Sequence, residues 1–203
     1  ALLSFAAFEI VGNEKDRDIA IEMNTLTANE AEKLNHDYIK FEDAVNHMVG
    51  ITDFYITSVD DIMDPVKREE INKNLQRIYD IFSQTTNMSL SYYCVYNPDL
   101  VGKQQGFFYS RNAADNMEKR EMTIISDFNP EDIERVGWYT APIRERKAVW
   151  LPPYYNKNTR RYTISYCVPY YKNDVLIAVI GMDFNFEILL NMVDQIHFSK
   201  NGY

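Results

Sequence analysis

Two apolar runs near the C-terminal end constrain the fold of this chain more than anything else in it. They are Arg161 to Tyr171 and Val175 to Phe184. Both are dense in Val, Ile, Tyr and Phe, the residues that fit a pleated, half-buried surface. Only Lys172-Asn173-Asp174 lies between them, which is a tight hairpin. Antiparallel pairing is therefore the starting point for everything upstream.

More strands precede this hairpin. Ser89 to Tyr96 is rich in Tyr and apolar residues and ends at the turn Asn97-Pro98-Asp99. Gly106 to Ser110 reads as a second strand and Met122 to Ser126 as a third. Before Ser89 the period is helical. Residues 14 to 50 hold no Pro or Gly until Gly50, and Leu34, Tyr38, Phe41, Val45 and Met48 recur in steps of four and three. Ile19, Met23 and Leu26 carry the same seam upstream, interrupted at Glu30. One apolar seam lets a helix pack on a domain or on a second helix. A second helix begins at Asp64-Pro65, with Asp as N-cap and Pro at the first helical position. Its stripe is Ile71, Leu75, Ile78 and Phe82, and Ser83 to Asn87 breaks it. Asn129-Pro130-Glu131-Asp132 starts a short helix carrying Trp138-Tyr139, and Glu187 to Ile196 forms a closing helix.

Helices gathered first, followed by hairpin-linked strands, define an α+β fold: a long N-terminal helix packed on an antiparallel sheet. The expected division is a helical part over residues 1–87 and a sheet module over 88–203, forming one structural unit. With 203 residues, of which 46% are hydrophobic, the chain can bury a substantial core.

Charge and motif content narrow the function. The net charge is -9, which argues against nucleic acid and against docking on anionic lipid. Cys94 and Cys167 form no CxxC pair, and three scattered histidines complete no zinc signature. Both cysteines lie in strands and read as small buried apolar residues, with a Cys94–Cys167 disulfide as the less favoured alternative. His36 and His47 lie eleven residues apart on the long helix, too far to chelate one metal. HExxH, GxSxG and Gly-rich phosphate-loop motifs are all absent, so neither an enzyme nor a bound cofactor is expected. Leu2 to Phe8 is too short an apolar run to span a bilayer. The small basic clusters Arg144 to Lys147 and Arg160-Arg161 read as solvated loop ends.

Four elements in register carry a family resemblance. They are Trp138-Tyr139, then Pro153-Tyr154, then the strand Thr163 to Pro169, then Gly181-Met182-Asp183. Their order and spacing resemble the extracytoplasmic Cache sensor domains of bacterial membrane receptors, in which a PAS-like sheet holds a small ligand. The resemblance implies a sensing module of a histidine kinase, diguanylate cyclase or chemoreceptor, with a small polar or cationic metabolite as ligand. It further implies that the long helix is a membrane-leading stalk, able to support a homodimer and joined to a membrane anchor outside this sequence. Gly202-Tyr203 resembles the opening of a membrane-proximal module in double-module relatives.

The candidate ligand-binding residues are Trp138, Tyr139, Tyr154, Asp183, Arg135 and Tyr166. Aromatic walls exclude water and hold a cationic head face-on. A carboxylate inside an apolar strand, as at Asp183, needs a partner. The resemblance makes that partner a ligand ammonium; otherwise Asp183 caps the segment Asn185 to Leu190 or meets a backbone amide. Three departures bear on the ligand. Amino-acid-binding relatives place an Arg two residues before the Trp, whereas Val136 stands there and Arg135 is one residue further back. No Tyr lies between Ser110 and Trp138, and Tyr155-Asn156 replaces the usual Asp after Pro-Tyr. An amine or quaternary ammonium ligand would need the aromatics and Asp183 without the Arg. The alternatives are a ligand-free dimerisation or interaction module using some of the fifteen tyrosines, and a hydrolase built on an unrecognised carboxylate pair.

Overall fold

The computed structural model describes residues 32–188, together with Asn29 and Leu190. Helix α1 covers residues 32–55. It is followed by α2 (Asp60–Met63), α3 (Pro65–Thr85), β1 (Ser89–Tyr96), α4 (Pro98–Val101), β2 (Gly106–Arg111) and β3 (Met117–Lys119). After a 3-10 turn at Ile125–Asp127 come α5 (Ile133–Glu145), β4 (Val149–Trp150), β5 (Tyr154–Asn156), β6 (Arg161–Lys172) and β7 (Val175–Asn185). The seven strands form one sheet in the order β3-β2-β1-β7-β6-β4, with β5 also paired to β6. Every pairing is antiparallel. This is the α+β architecture expected from the sequence, with helices on an antiparallel sheet.

The β6–β7 hairpin joins the two longest strands of the sheet. Its turn residues Asn173 and Asp174 have φ of 51° and 62°, the left-handed pair that a two-residue turn needs to match strand twist. One irregularity decides which side chains share a face. Tyr171 pairs with Leu176, but Tyr170 pairs with Ala178, so Ile177 is an extra residue on β7. Such a bulge shifts the register by one residue and changes the face every later pair shares. Beyond it Cys167 pairs with Gly181 and Ser165 with Asp183.

On one face, Tyr92, Cys94, Tyr96, Tyr166, Ile180, Met182 and Phe184 pack against Phe41, Val45 and Met48 of α1 and Ile71, Leu75 and Tyr79 of α3. From Tyr38 to Met48 the seam on α1 is the one the spacing predicts, and its upstream part, Ile19, Met23 and Leu26 on the helix expected from residue 14, lies outside the described residues. The helix does not stop at Gly50; it continues to residue 55. Thr52 lies fully buried there, its hydroxyl bonded to the Met48 carbonyl at 2.8 Å and in contact with the Tyr79 hydroxyl, so tertiary contacts outweigh the cost of an exposed glycine. On α3, Asp64 accepts from the Val66 and Lys67 amides, as its N-cap position requires. The buried stripe turns slightly from expectation: Tyr79 is fully buried, while Ile78 and Phe82 are half-buried.

The strand expected at Met122 to Ser126 is not there. Met117–Lys119 pairs with β2 instead. Asn112 folds the intervening turn by accepting from the Ala114 and Asn116 amides. Residues 122–128 then leave the sheet as an irregular strap. Gln104 holds them through both ends of its amide, donating to the Thr123 carbonyl (2.7 Å) and accepting from the Ile125 amide (2.8 Å). Helix α5 starts at Ile133 with Asp132 as N-cap. Of the closing helix, residues 186–188 and 190 are helical, and the rest of that expectation lies outside the described residues.

Cys94 and Cys167 are free and buried. They belong to opposite faces, Cys94 with the helices and Cys167 with α5. β7 separates their strands, so the chain path holds them about 9–10 Å apart, beyond disulfide reach. Burial raises both thiol pKa values well above the free value. Both are expected to resist a thiol reagent in native buffer and to react stoichiometrically in denaturant. Rapid labelling of either in the folded protein would contradict this packing.

Candidate functional site

The second face of the sheet carries the cavity. Ser91, Tyr93 and Val95 of β1, Phe108 of β2, Thr163, Ser165 and Cys167 of β6, and Asp183 of β7 share this face because side chains alternate along a strand. Helix α5, the strap 122–128 and the β5 hairpin cover it, enclosing about 370 Å³. That is within the range of small-molecule sites. The walls are mainly aromatic and apolar: Tyr93, Phe108, Phe128, Trp138 and Tyr154, with Val95, Met122 and Ile124. The strap and the hairpin meet where Asn158 donates to the Thr123 hydroxyl at 2.8 Å.

Asp183 forms part of the inner wall and is 1% exposed. Its two oxygens accept from the hydroxyls of Ser91 on β1 and Ser165 on β6. Ser165 also shares a hydrogen bond of 2.9 Å with the Tyr154 hydroxyl. Among the described residues no Lys, Arg or His forms an ion pair with this carboxylate. Desolvation raises its pKa above the usual carboxylate range, and the two serine hydrogen bonds offset only part of that. Its partners lie across the sheet, not in the segment after β7.

Gly181 has a separate purpose in the G-x-D strand. The Tyr93 ring crosses β7 directly over Gly181, and its hydroxyl meets Cys167 Sγ on β6 at 3.0 Å. A Cβ at position 181 would collide with the Tyr93 ring and hydroxyl and with the Tyr166 carbonyl. Glycine thus lets an aromatic ring lie flat on the sheet and become the cavity floor. Trp138 stands edge-on to this ring at 5.3 Å. Its indole N–H is held by the Arg135 carbonyl at 3.0 Å, which fixes the ring on α5.

Four of the six candidate residues come together around the cavity: Arg135, Trp138, Tyr154 and Asp183. Arg135 reaches it although Val136 occupies the expected position, because α5 buries Val136 and turns Arg135 outward over the Phe128 ring, 5.3 Å from its centroid. Tyr139 does not line the cavity; it is buried between α5 and the sheet. Tyr166 lies on the opposite face, packed on Trp150 at 4.9 Å, because the β7 bulge pairs Ser165 with Asp183 and turns the next residue away. Sequence reasoning missed Ser91, Tyr93, Ser165 and Phe128. Gly181 was the available signal for Tyr93, since a glycine inside a strand marks a close approach. Among the described residues no group of His, Cys, Asp or Glu is placed to hold a metal ion.

A PAS-like antiparallel sheet with α1 and α3 on one face and an aromatic cavity under α5 on the other defines a small-molecule sensor class. The chain belongs to the family of methyl-accepting chemotaxis protein-like first PDC sensor domains, whose family model matches residues 75–191. No curated protein sequence matches it. Its fold is similar to the ligand-binding domain of the Campylobacter jejuni chemoreceptor Tlp3 in complex with L-valine, at 17% identity and a TM-score of 0.60, over 88% of this chain and 64% of that one. The sensory domain of the same receptor with isoleucine bound matches at 16% identity and TM-score 0.58, over 88% and 63%. The extracellular domain mmHK1S-Z3, described as that of a histidine kinase, matches at 18% and TM-score 0.59, over 86% and 62%. The chain therefore spans a little under two thirds of the length of these structures.

Proposed function

We propose that this domain is the extracytoplasmic ligand-sensing part of a membrane-anchored receptor and that it binds a small metabolite through a cationic amine. The observation that carries this reading is Asp183: a desolvated carboxylate on the wall of an aromatic cavity, partnered among the described residues by hydroxyls alone. Two hydroxyls orient a carboxylate but do not neutralise it, and an ammonium would. Trp138, Tyr93 and Tyr154 surround that position with ring faces and edges suited to a desolvated cation. Arg135 offers a guanidinium for a ligand carboxylate, so both amines and amino acids fit. Binding of L-valine and isoleucine by the similar Tlp3 domain supports the amino-acid arm.

A thermal-shift screen of amines, amino acids and organic acids tests the reading. Stabilisation by compounds with an amine, lost in Asp183→Ala, is expected. Stabilisation only by anions would overturn it. An Arg135→Ala variant should weaken amino acids more than the amines lacking a carboxylate.

The same domain would pass occupancy to α1, the stalk of a homodimer in this reading. Phe184 follows Asp183 on the opposite face and packs on Tyr38 (5.2 Å) and Phe41 (5.6 Å) of α1. Tyr166 follows Ser165 and packs on Trp150, whose indole donates to Glu42 of α1 at 2.6 Å. A ligand that pulls β6 and β7 together would bias α1 through these rings, by as much as its affinity differs between the two arrangements. Hydrogen exchange over residues 32–55 is expected to slow on ligand binding. In Trp150→Phe, which keeps the ring but removes the indole donor, that response should shrink while the ligand still binds. An unchanged response would exclude the Glu42 contact from the route.

A further inference from the structure

Five charged side chains line the cavity, and only one of them is accounted for by an amine on Asp183. The others are Asp127, at the end of the strap's 3-10 turn, Glu134 in the first turn of α5, Arg135, and Lys157 in the β5 hairpin. Among the described residues none of these four forms an ion pair or a side-chain hydrogen bond. They are therefore open to a ligand. Asp183 is at the buried end, whereas Asp127 and Glu134 are exposed and mark the open end. Val95, Phe108, Met122 and Trp138 supply apolar wall to the same cavity.

We propose that the ligand carries a second cationic nitrogen, separated from the first by an apolar spacer, and that Asp127 and Glu134 receive it at the mouth. This rests on the reading that Asp183 holds the first amine. The net charge of -9 favours it, and the three carboxylates and two cations of the lining sum to -1, which a diamino acid of net charge +1 neutralises. Such a field concentrates cations and repels dianions near the opening. A simple aliphatic amino acid uses Asp183 and Arg135 and leaves both outer carboxylates unanswered. A diamine or a diamino acid answers them, with its methylenes on the apolar wall. The volume of about 370 Å³ leaves room for that longer body.

Calorimetric titration of the domain with matched pairs tests this. The pairs are n-pentylamine against 1,5-diaminopentane, and norleucine against lysine. The second charge is expected to tighten binding about tenfold, the scale of two solvent-exposed ion pairs. The double variant D127N/E134Q should lose that advantage. If lysine gains but 1,5-diaminopentane does not, the ligand is a diamino acid held also by Arg135; if both gain, the diamine suffices. Equal affinity within each pair, or a preference that survives the double variant, overturns the second-cation proposal and leaves the amine reading standing. Failure of all four compounds to bind overturns the amine reading itself.

Discussion

Replacing Asp183 by Asn is expected to stabilise the ligand-free domain at neutral and alkaline pH while removing its affinity for amines. The side chain keeps its shape, and the hydroxyls of Ser91 and Ser165 can rotate to accept from an amide as readily as they donate to a carboxylate. What disappears is a desolvated negative charge. Burial raises the folded-state pKa of Asp183, so the folded protein holds this proton more tightly than the unfolded chain does. The sign follows directly. Stability from this group is complete below the unfolded carboxyl pKa, near 4, and falls as pH rises toward the folded-state value. Within that window wild type should lose up to about 1.4 kcal/mol per pH unit relative to Asp183→Asn. Melting curves of both proteins from pH 4 to pH 8 measure it: they should nearly coincide at the acid end and separate upward. Curves that stay parallel would mean that folding does not raise the pKa of Asp183. In the same variant an amine ligand should lose about 100-fold or more in affinity, the scale of removing one partner from a buried charged pair.

Gly181→Ala is expected to be the most damaging single-methyl substitution in the site. The added carbon meets the Tyr93 ring and hydroxyl on one side and the Tyr166 backbone carbonyl on the other. The carbonyl belongs to the sheet ladder and cannot move, so Tyr93 must lift off β7 into the cavity. That breaks its contact with Cys167 and occupies ligand space. Overpacking of this kind costs about 1–3 kcal/mol, or roughly 2–12 °C in melting temperature for a domain of this size. Ligand affinity should fall in parallel. Tyr93→Ala creates the room the methyl needs, so the double variant G181A/Y93A should be more stable than the sum of the two single losses predicts. Simple additivity would mean that the two residues do not compete for one space.

The particular residues show how far the chain could be read before its fold was known. The β6–β7 hairpin, the capped start of α3 and the apolar seam of α1 are local patterns, decided by side-chain period and turn chemistry over a few residues. Trp138, Tyr154 and Asp183 could be picked out because a motif order singles them out. Ser91 and Tyr93 could not, since nothing near them in the chain says what lies across the sheet. Met122 to Ser126 reads as a strand, yet its backbone is claimed by the side chain of Gln104, some twenty residues away.

By itself, then, the sequence determined the main helices, the antiparallel β6–β7 hairpin and the presence of an acidic group inside an apolar strand. The tertiary structure decided which residues meet that group. The physical reason is the one-residue bulge at Ile177. Side chains alternate every residue along a strand, so a single inserted residue sets the face shared by every pair beyond it. Here it places Ser165 beside Asp183 and sends Tyr166 to the helices, an outcome that depends on how two strands slide past one another and not on the composition of either.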